Sequence, residues 1–269
     1  SWYERIIVIL AFPFCGLLLI LAGLYLYLVP QLPDTDQLKE IRFETPLQVL
    51  SRDGLLIAEF GEKHSMPLTY EQIPPLYIKA ILAAEDDRFF EHEGINYKGL
   101  ARAFVDILRT GGIQSGGSTI TMQVAKNYFL TQERTFSRKF IELLLAKDIE
   151  DLLTKQEIMA LYVNKIFLGH RAYGIGAAAK VYYNKNINEL TLAELAMIAG
   201  LPKAPSKYNP VNNPKRAMIR RDWILGRMLE LGYIKQDQYD LAIKAPVGLN
   251  FRATFAEVNA PWLAEMARE

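Results

Sequence analysis

The chain has 269 residues, 51% hydrophobic and 23% charged, enough for one sizeable core of one or two domains beside any membrane anchor. A formal net charge of +1 excludes a general attraction to nucleic acid, so any anion site has to come from local clustering of cations. The only cysteine, Cys15, lies in an apolar N-terminal run, which excludes an internal disulfide framework and a multi-cysteine metal site.

Residues 1–5 read as a cytoplasmic stub and residues 6–29 as a transmembrane helix. No charged residue occurs from Ile6 to Val29, and at the helical rise that run extends roughly 36 Å, longer than a hydrocarbon core of about 30 Å. Trp2, Tyr3, Tyr25 and Tyr27 fall near the two interfaces. Arg5 before the run and Asp34 and Asp36 after it favour a cytoplasmic N-terminus, although Glu4 blunts the signal. The rest of the chain is then extracytoplasmic. A cleaved signal peptide is the competing reading, but the run is long for an h-region and no small-x-small site follows it. The chain does not begin with Met, so a few residues are expected to precede Ser1.

Residues 30–73 read as a connector and pedestal, punctuated by Pro30, Pro33 and Pro46. Within it, Leu47–Ser51 and Leu55–Phe60 flank Arg52-Asp53-Gly54, the pattern of a small β-hairpin with an Asp-Gly turn.

From Pro74 to Gly248 the signals are helical. Pro75 stands near a first turn, and an apolar stretch runs from it into Glu85. Thr154 to Glu157 and Thr191 to Glu194 match capping boxes. Pro214 opens another helix, in which Met218, Trp223, Ile224, Met228 and Leu231 supply an apolar face and Gly232 ends it. No repeat, low-complexity tract or strand–helix alternation is present, so the fold class is predominantly α.

Two acidic centres carry the chemistry. In Glu85-Asp86-Asp87-Arg88-Phe89-Phe90-Glu91-His92-Glu93-Gly94, crowded acids beside an aromatic pair can raise one carboxyl pKa toward the range of a general base. A solvated helix end, with His92 merely packed or exposed, is the competing reading. The stretch Gly111 to Ser118 nearly matches a Walker A loop but has Gly117 where the lysine is required, so a nucleotide site is poorly supported. Glycines followed by Ser118, Thr119 and Thr121 still suit a helix start that grips an anionic or sugar ligand, or an ordinary flexible loop with an N-cap. In the second centre, Arg138, Lys139 and Glu142 share a broad helix face, which a surface ion pair would also explain. Against that, Lys126, Arg134, Arg138 and Lys139 concentrate cations just after the glycines, as pyrophosphate recognition requires. The order of these features suggests sugar transfer from a membrane-bound pyrophosphate donor.

These residues also resemble a known family. Glu85-Asp86 through Phe89 with His92 and Gly94, then Gly116 to Thr121 with Gln123, and Arg138-Lys139 with Glu142 are similar to motifs of the glycosyltransferase family 51 module of peptidoglycan polymerases. Tyr162 to Gly169, Ala172 to Ala178 and Leu201 to Ser206 continue the match in the family's order. The Pro30 to Asp34 exit and the hairpin resemble the family as well.

The resemblance implies a lysozyme-like helical glycosyltransferase domain over residues 74–248, on the periplasmic face of a bacterial inner membrane. There it would polymerise lipid II into β-1,4-linked glycan with inversion, releasing undecaprenyl pyrophosphate. Glu85 matches the catalytic base. Glu142 matches a second glutamate that assists departure, orients cations or holds a metal. Lys126, Arg134, Arg138 and Lys139 match positions that neutralise the diphosphate. Asp86, Phe89, His92, Ser118, Thr119 and Gln123 line the substrate cleft, and Asn164 supports it from the next helix. No organic cofactor is implied, and a divalent cation, Mg or Mn, is a candidate at the pyrophosphate. The implied partners are lipid II, the growing glycan, inner-membrane lipids, phosphoglycolipid inhibitors such as moenomycin, and cell-wall regulatory proteins, with no nucleic acid.

Met122 stands where many members have a second Gln, which removes one polar contact. Phe104 to Arg109 corresponds to a lipid-facing part of such modules, though packing inside explains its apolar residues equally. Residues 249–269 resemble a linker toward a transpeptidase domain, so the chain reads as a fragment; no Ser-x-x-Lys or Lys-Thr-Gly motif of a penicillin-reactive centre occurs in it. A muramidase, which shares paired carboxylates and helices, and a non-catalytic membrane scaffold are the other function classes. Hydrolysis would not need the cations after the glycines, and a scaffold would not need Glu85.

Overall fold

The structure is a computed structural model that describes residues 2–40, 47–50, 52–53, 56–60, 64–110, 117–130 and 136–252. Helix α1 runs over Trp2–Leu28. Among the described residues, however, no helix is long and apolar enough to cross a membrane. The expected span over 6–29 therefore stands on the sequence alone. Strands β1 (Leu47–Leu50) and β2 (Leu56–Phe60) pair antiparallel, Leu47 opposite Phe60, with a register shift at Val49/Leu50. Gly54 of the expected Asp-Gly turn lies outside the described residues.

Strand β3 (His64–Ser65) pairs in parallel with β4 (Ala172–Tyr173), joining the segment that precedes the helical body to a loop deep within it. That body comprises α2 (Pro75–Glu85), α3 (Tyr97–Thr110), α4 (Ile120–Phe129), α5 (Phe136–Leu152) and α6 (Lys155–Lys165), followed by α7 (Gly174–Ala178), α8 (Leu192–Ala199), α9 (Pro214–Glu230) and α10 (Gln236–Lys244). The predominantly α class read from the sequence is what the chain adopts.

Local chemistry sets the helix ends. The Thr154 and Thr191 hydroxyls accept from the N–H groups of Glu157 and Glu194, and each glutamate accepts in return from the cap N–H at 2.7 and 2.8 Å. Pro214 occupies the first turn of α9, and Gly232 follows its end at φ +69°.

Burial then arranges the helices. Residues Ala193 to Ala199 of α8 are all buried, Glu194 among them with Lys185 as its partner, so the helix sits at the centre with α2, α9 and α10 packed on it. Helix α4 packs on α5 and α6. The face that α9 gives to this core consists of Ala217, Arg220, Arg221, Ile224, Leu225 and Met228. Trp223 is not on it: its register falls beside that stripe, and half of the residue is exposed. The apolar face expected from composition is thus corrected at this position. Two arginines replace it inside. Arg221, 1% exposed, donates to the carbonyls of Ala245 and Ile243 at 2.7 and 3.1 Å and closes the C-terminus of α10.

Asn164 of α6, 2% exposed, holds the segment after β3 by both ends of its amide. Its Oδ1 accepts from the Leu68 N–H at 2.9 Å, and its Nδ2 donates to the Leu68 carbonyl at 2.7 Å. Replacing Asn164 by Ala orphans two backbone groups. The urea midpoint is expected to fall by an amount corresponding to roughly 2–4 kcal/mol, since each unsatisfied buried group costs about 1–3 kcal/mol; a midpoint within error of wild type would show that the clamp contributes nothing.

Candidate active site

Glu85 is the last residue of α2. The chain leaves the helix through Asp86, whose backbone is extended at φ −161° and whose carboxylate is 6% exposed. Asp86 accepts from the Ile120 N–H at the start of α4 at 3.1 Å and from His92 Nε2 at 2.9 Å. A carboxylate at a helix N-terminus meets unpaired N–H groups and the positive end of the helix dipole. The start of α4 is therefore fixed against the end of α2. Thr119, 2% exposed, adds a second tie: its hydroxyl caps α4 by accepting from the Met122 N–H and donates to the Gly94 carbonyl at 2.6 Å. Gly94 has φ +81°, and a Cβ there would lie 2.8 Å from the Ala146 carbonyl oxygen, so only glycine lets this loop press onto α5.

With α4 so placed, the end of its first turn faces Glu85. Gln123 Nε2 donates to Glu85 Oε2 at 3.1 Å. Burial pushes the Glu85 carboxyl above the ordinary carboxylate range, against the pull of the Gln123 hydrogen bond and of the Arg220, Lys203 and Lys126 charges. Tyr77 and Tyr162, fully buried nearby, have phenol pKa values raised by desolvation and further by the Glu85 charge.

The second glutamate anchors a cationic wall. Glu142, 6% exposed, accepts from Arg138 Nε at 3.3 Å and from Lys139 Nζ at 2.7 Å, and the same ammonium donates to Ser118 Oγ at 2.7 Å. Lys126 lies in the field of both carboxylates. Desolvation lowers its pKa most, Glu142 raises it, Arg138 and Lys139 lower it, and Glu85 raises it. A cleft of about 510 Å³ runs past Glu85, Asp86 and Asp87 to Gly117, Ser118 and Thr119, with Trp223, Arg227 and Glu230 of α9 on its far side.

Not every residue that the resemblance assigns to substrate meets the cleft with a free group. Phe89 is fully buried, under the Lys155 ammonium 4.4 Å from its ring centroid. Asp86, Thr119 and Asn164 spend their polar atoms inside the protein, as described. His92 binds Asp86 and keeps Nδ1 buried without a partner. Met122 is 1% exposed and packs inside, so no polar contact is available at that position. Arg134 and residues 111–116 lie outside the described residues, as does the region after Arg252. Within Phe104 to Arg109, Val105 is 43% exposed.

The metal expected at Glu142 does not fit the groups present. Both carboxylate oxygens are taken by cations, and among the described residues no group of three His, Cys, Asp or Glu could hold an ion. Sequence reasoning gave no role to Arg220, Lys203, Asp87 and Arg227. Arg227 donates to Asp87 at 2.6 Å and to Glu230 at 2.9 Å. The spacing Arg220, Trp223, Arg227, Glu230 on one helix was the available signal.

The transglycosylase family model matches residues 53–229, which include both glutamates and the cationic wall. The chain belongs to the transglycosylase family, whose glycosyltransferase family 51 motifs its sequence carries. It is 57% identical over 254 residues to penicillin-binding protein 1A of Pseudomonas aeruginosa, covering 94% of this chain and 31% of that protein. To penicillin-binding protein 1A of Escherichia coli it is 51% identical over 247 residues, 92% of this chain and 29% of that protein. The solved penicillin-binding protein 1A of Haemophilus influenzae is 31% identical over 85% of this chain and 24% of that one, with a TM-score of 0.46. The chain thus spans less than a third of these relatives.

A raised Glu85 pKa fixes the sign of a stability test. Between the unfolded value and the higher folded value the native state binds the extra proton, so stability falls as pH rises through the folded pKa. Glu85→Gln removes that penalty. The variant is expected to be more stable than wild type at pH 7–8, with the difference vanishing below the unfolded carboxylate pKa of about 4.3; urea denaturation at several pH values measures this, and a deficit growing with pH contradicts it.

Proposed function

We propose that the chain is a peptidoglycan glycosyltransferase that polymerises lipid II into β-1,4-linked glycan strands with inversion. The observation that carries this reading is the convergence on α4: Gln123 contacts Glu85, and Lys126 lies in the field of both Glu85 and Glu142. A proton acceptor and a diphosphate clamp are thereby supported as parts of one groove.

In this reaction the Glu85 carboxylate takes the proton from the 4-hydroxyl of the acceptor GlcNAc. The oxygen attacks the anomeric carbon of the donor MurNAc from the face opposite the diphosphate, and the bond to the leaving oxygen breaks with its electron pair. Lys126, Arg138 and Lys139 stabilise the charge released on undecaprenyl pyrophosphate, with Ser118 beside them. Glu142 holds two of the cations in place before substrate arrives. Because the donor is already activated, positioning and electrostatics suffice and no covalent intermediate is needed.

A lipid-linked donor requires a site beside a bilayer. The uncharged run from Ile6 to Val29, nearly all of it within α1, supports a single-pass anchor in the inner membrane. Large apolar residues along it, among them Phe12, Leu19 and Leu26, are more than two-thirds exposed, as on a helix that meets lipid. Residues 30–73 then form the connector and hairpin pedestal, residues 74–248 the lysozyme-like catalytic domain on the periplasmic side, and residues 249–269 the start of a linker.

Glu85→Gln is expected to lower polymerisation of labelled lipid II by about 10²–10⁴-fold with the fold retained. Lys126→Ala is expected to lower it about 10²–10³-fold and to weaken inhibition by a phosphoglycolipid donor mimic. Shortened glycan in place of polymer and released lipid pyrophosphate would identify a hydrolase, and absence of any turnover by the wild-type chain a binding protein.

A further inference from the structure

The cleft and the cationic wall beside it differ in charge. In the wall, Lys126, Arg138 and Lys139 outnumber Glu142. On the α9 side of the cleft, Arg227 is paired with two carboxylates, Asp87 at 2.6 Å and Glu230 at 2.9 Å. That side offers donors and acceptors with no cationic surplus, which suits a hydroxyl-rich ligand rather than a diphosphate.

An aromatic ring stands on this side of the cleft. Trp223 is 50% exposed, although its chain neighbours Ile224 and Leu225 are fully buried. One of its faces is occupied: the Arg220 guanidinium lies 4.4 Å from the ring centroid. Arg220 is itself only 7% exposed, and its Nε has no partner. Its stem passes over Gly200, where a Cβ would meet Arg220 Cγ at 2.9 Å. Its free end reaches the active site, donating to the Ala84 carbonyl at 3.3 Å and lying 3.7 Å from Glu85 Oε1.

We propose that Trp223 is the stacking platform for the acceptor saccharide and that Arg220, held between this ring and the end of α2, is the positioning residue for Glu85. The proposal rests on the glycosyltransferase reading and names residues for its acceptor half. Sugar C–H groups are electropositive and pack against the electron-rich face of an indole ring. Asp87 and Arg227 then lie beside the ring to accept from and donate to hydroxyls. Arg220 opposes the burial of Glu85 and favours its ionised form, alongside Lys203 and Lys126; the phenols of Tyr77 and Tyr162 and the Gln123 amide complete the groups facing that carboxyl. Lysine cannot replace Arg220 here, because a compact ammonium does not stack as a plane on the indole ring.

The test uses the full chain in detergent and the GlcNAc-β-1,4-MurNAc disaccharide, free of phosphate and lipid, as probe. Saturation-transfer NMR is expected to show binding that Trp223→Leu weakens about tenfold, the size of a lost aromatic stack, that Trp223→Phe largely keeps, and that a phosphoglycolipid donor mimic does not displace. In lipid II turnover, Arg220→Gln and Arg220→Lys are expected to move the acid limb of the pH profile to higher pH, and Trp223→Leu to raise KM more than it lowers kcat. Unchanged disaccharide binding in Trp223→Leu, displacement by the donor mimic, or an unmoved acid limb overturns the proposal. If Glu85→Gln still abolishes turnover in that event, the glycosyltransferase reading survives; if the wild-type chain turns over no lipid II, that reading fails while the disaccharide measurement still judges Trp223.

Discussion

Beneath the cleft, the Asp86 carboxylate joins the end of one helix to the start of another, and the geometry of the site follows from that join. Its oxygens meet the first N–H of α4 and the His92 ring. Removing one partner of a buried ionic group leaves the other uncompensated, at a cost of about 3–5 kcal/mol. The loop that follows is held at further points: the Thr119 hydroxyl on the Gly94 carbonyl, Lys155 on the His92 carbonyl at 2.6 Å, and Phe89 in the core. Glu85 is therefore presented by a fixed helix end rather than by a moving loop. Asp86 and Thr119, which the resemblance assigns to the substrate cleft, also tie the end of α2 and the loop after it to the start of α4.

The cationic wall is likewise assembled in advance. Lys139 bridges Glu142 and Ser118, and Arg138 takes the other Glu142 oxygen, so one buried carboxylate orders two cations that would otherwise repel. Lys126 is left more desolvated among them, its pKa lowered chiefly by burial. Under the proposed glycosyl transfer, this arrangement puts positive charge in place before the leaving group develops its negative charge.

Stability and function share residues on α9. Arg221 closes α10, Arg220 reaches through the helical layer to Glu85, and Trp223 and Arg227 face the cleft, all within little more than two turns. A helix that donates its apolar stripe to the core and its remaining face to the groove explains how a packing element can tune a base at the end of α2.

The sequence by itself determined the helical class, the starts of α6, α8 and α9, and the identity of the two glutamates, because caps, prolines and hydrophobic periods act within a few residues of each other. It also gave the family through its motifs. Only the tertiary structure decided which groups those motifs spend on the protein and which they leave for a ligand. Asn164 meets Leu68 across 96 residues, and Arg227 meets Asp87 across 140. No local pattern encodes such pairs, and the position of Trp223 in the cleft rather than in the core depended on how α9 rotates against α8 and α2. Desolvation of Glu85, which raises its carboxyl pKa, is likewise a property of everything packed around it and of no segment alone.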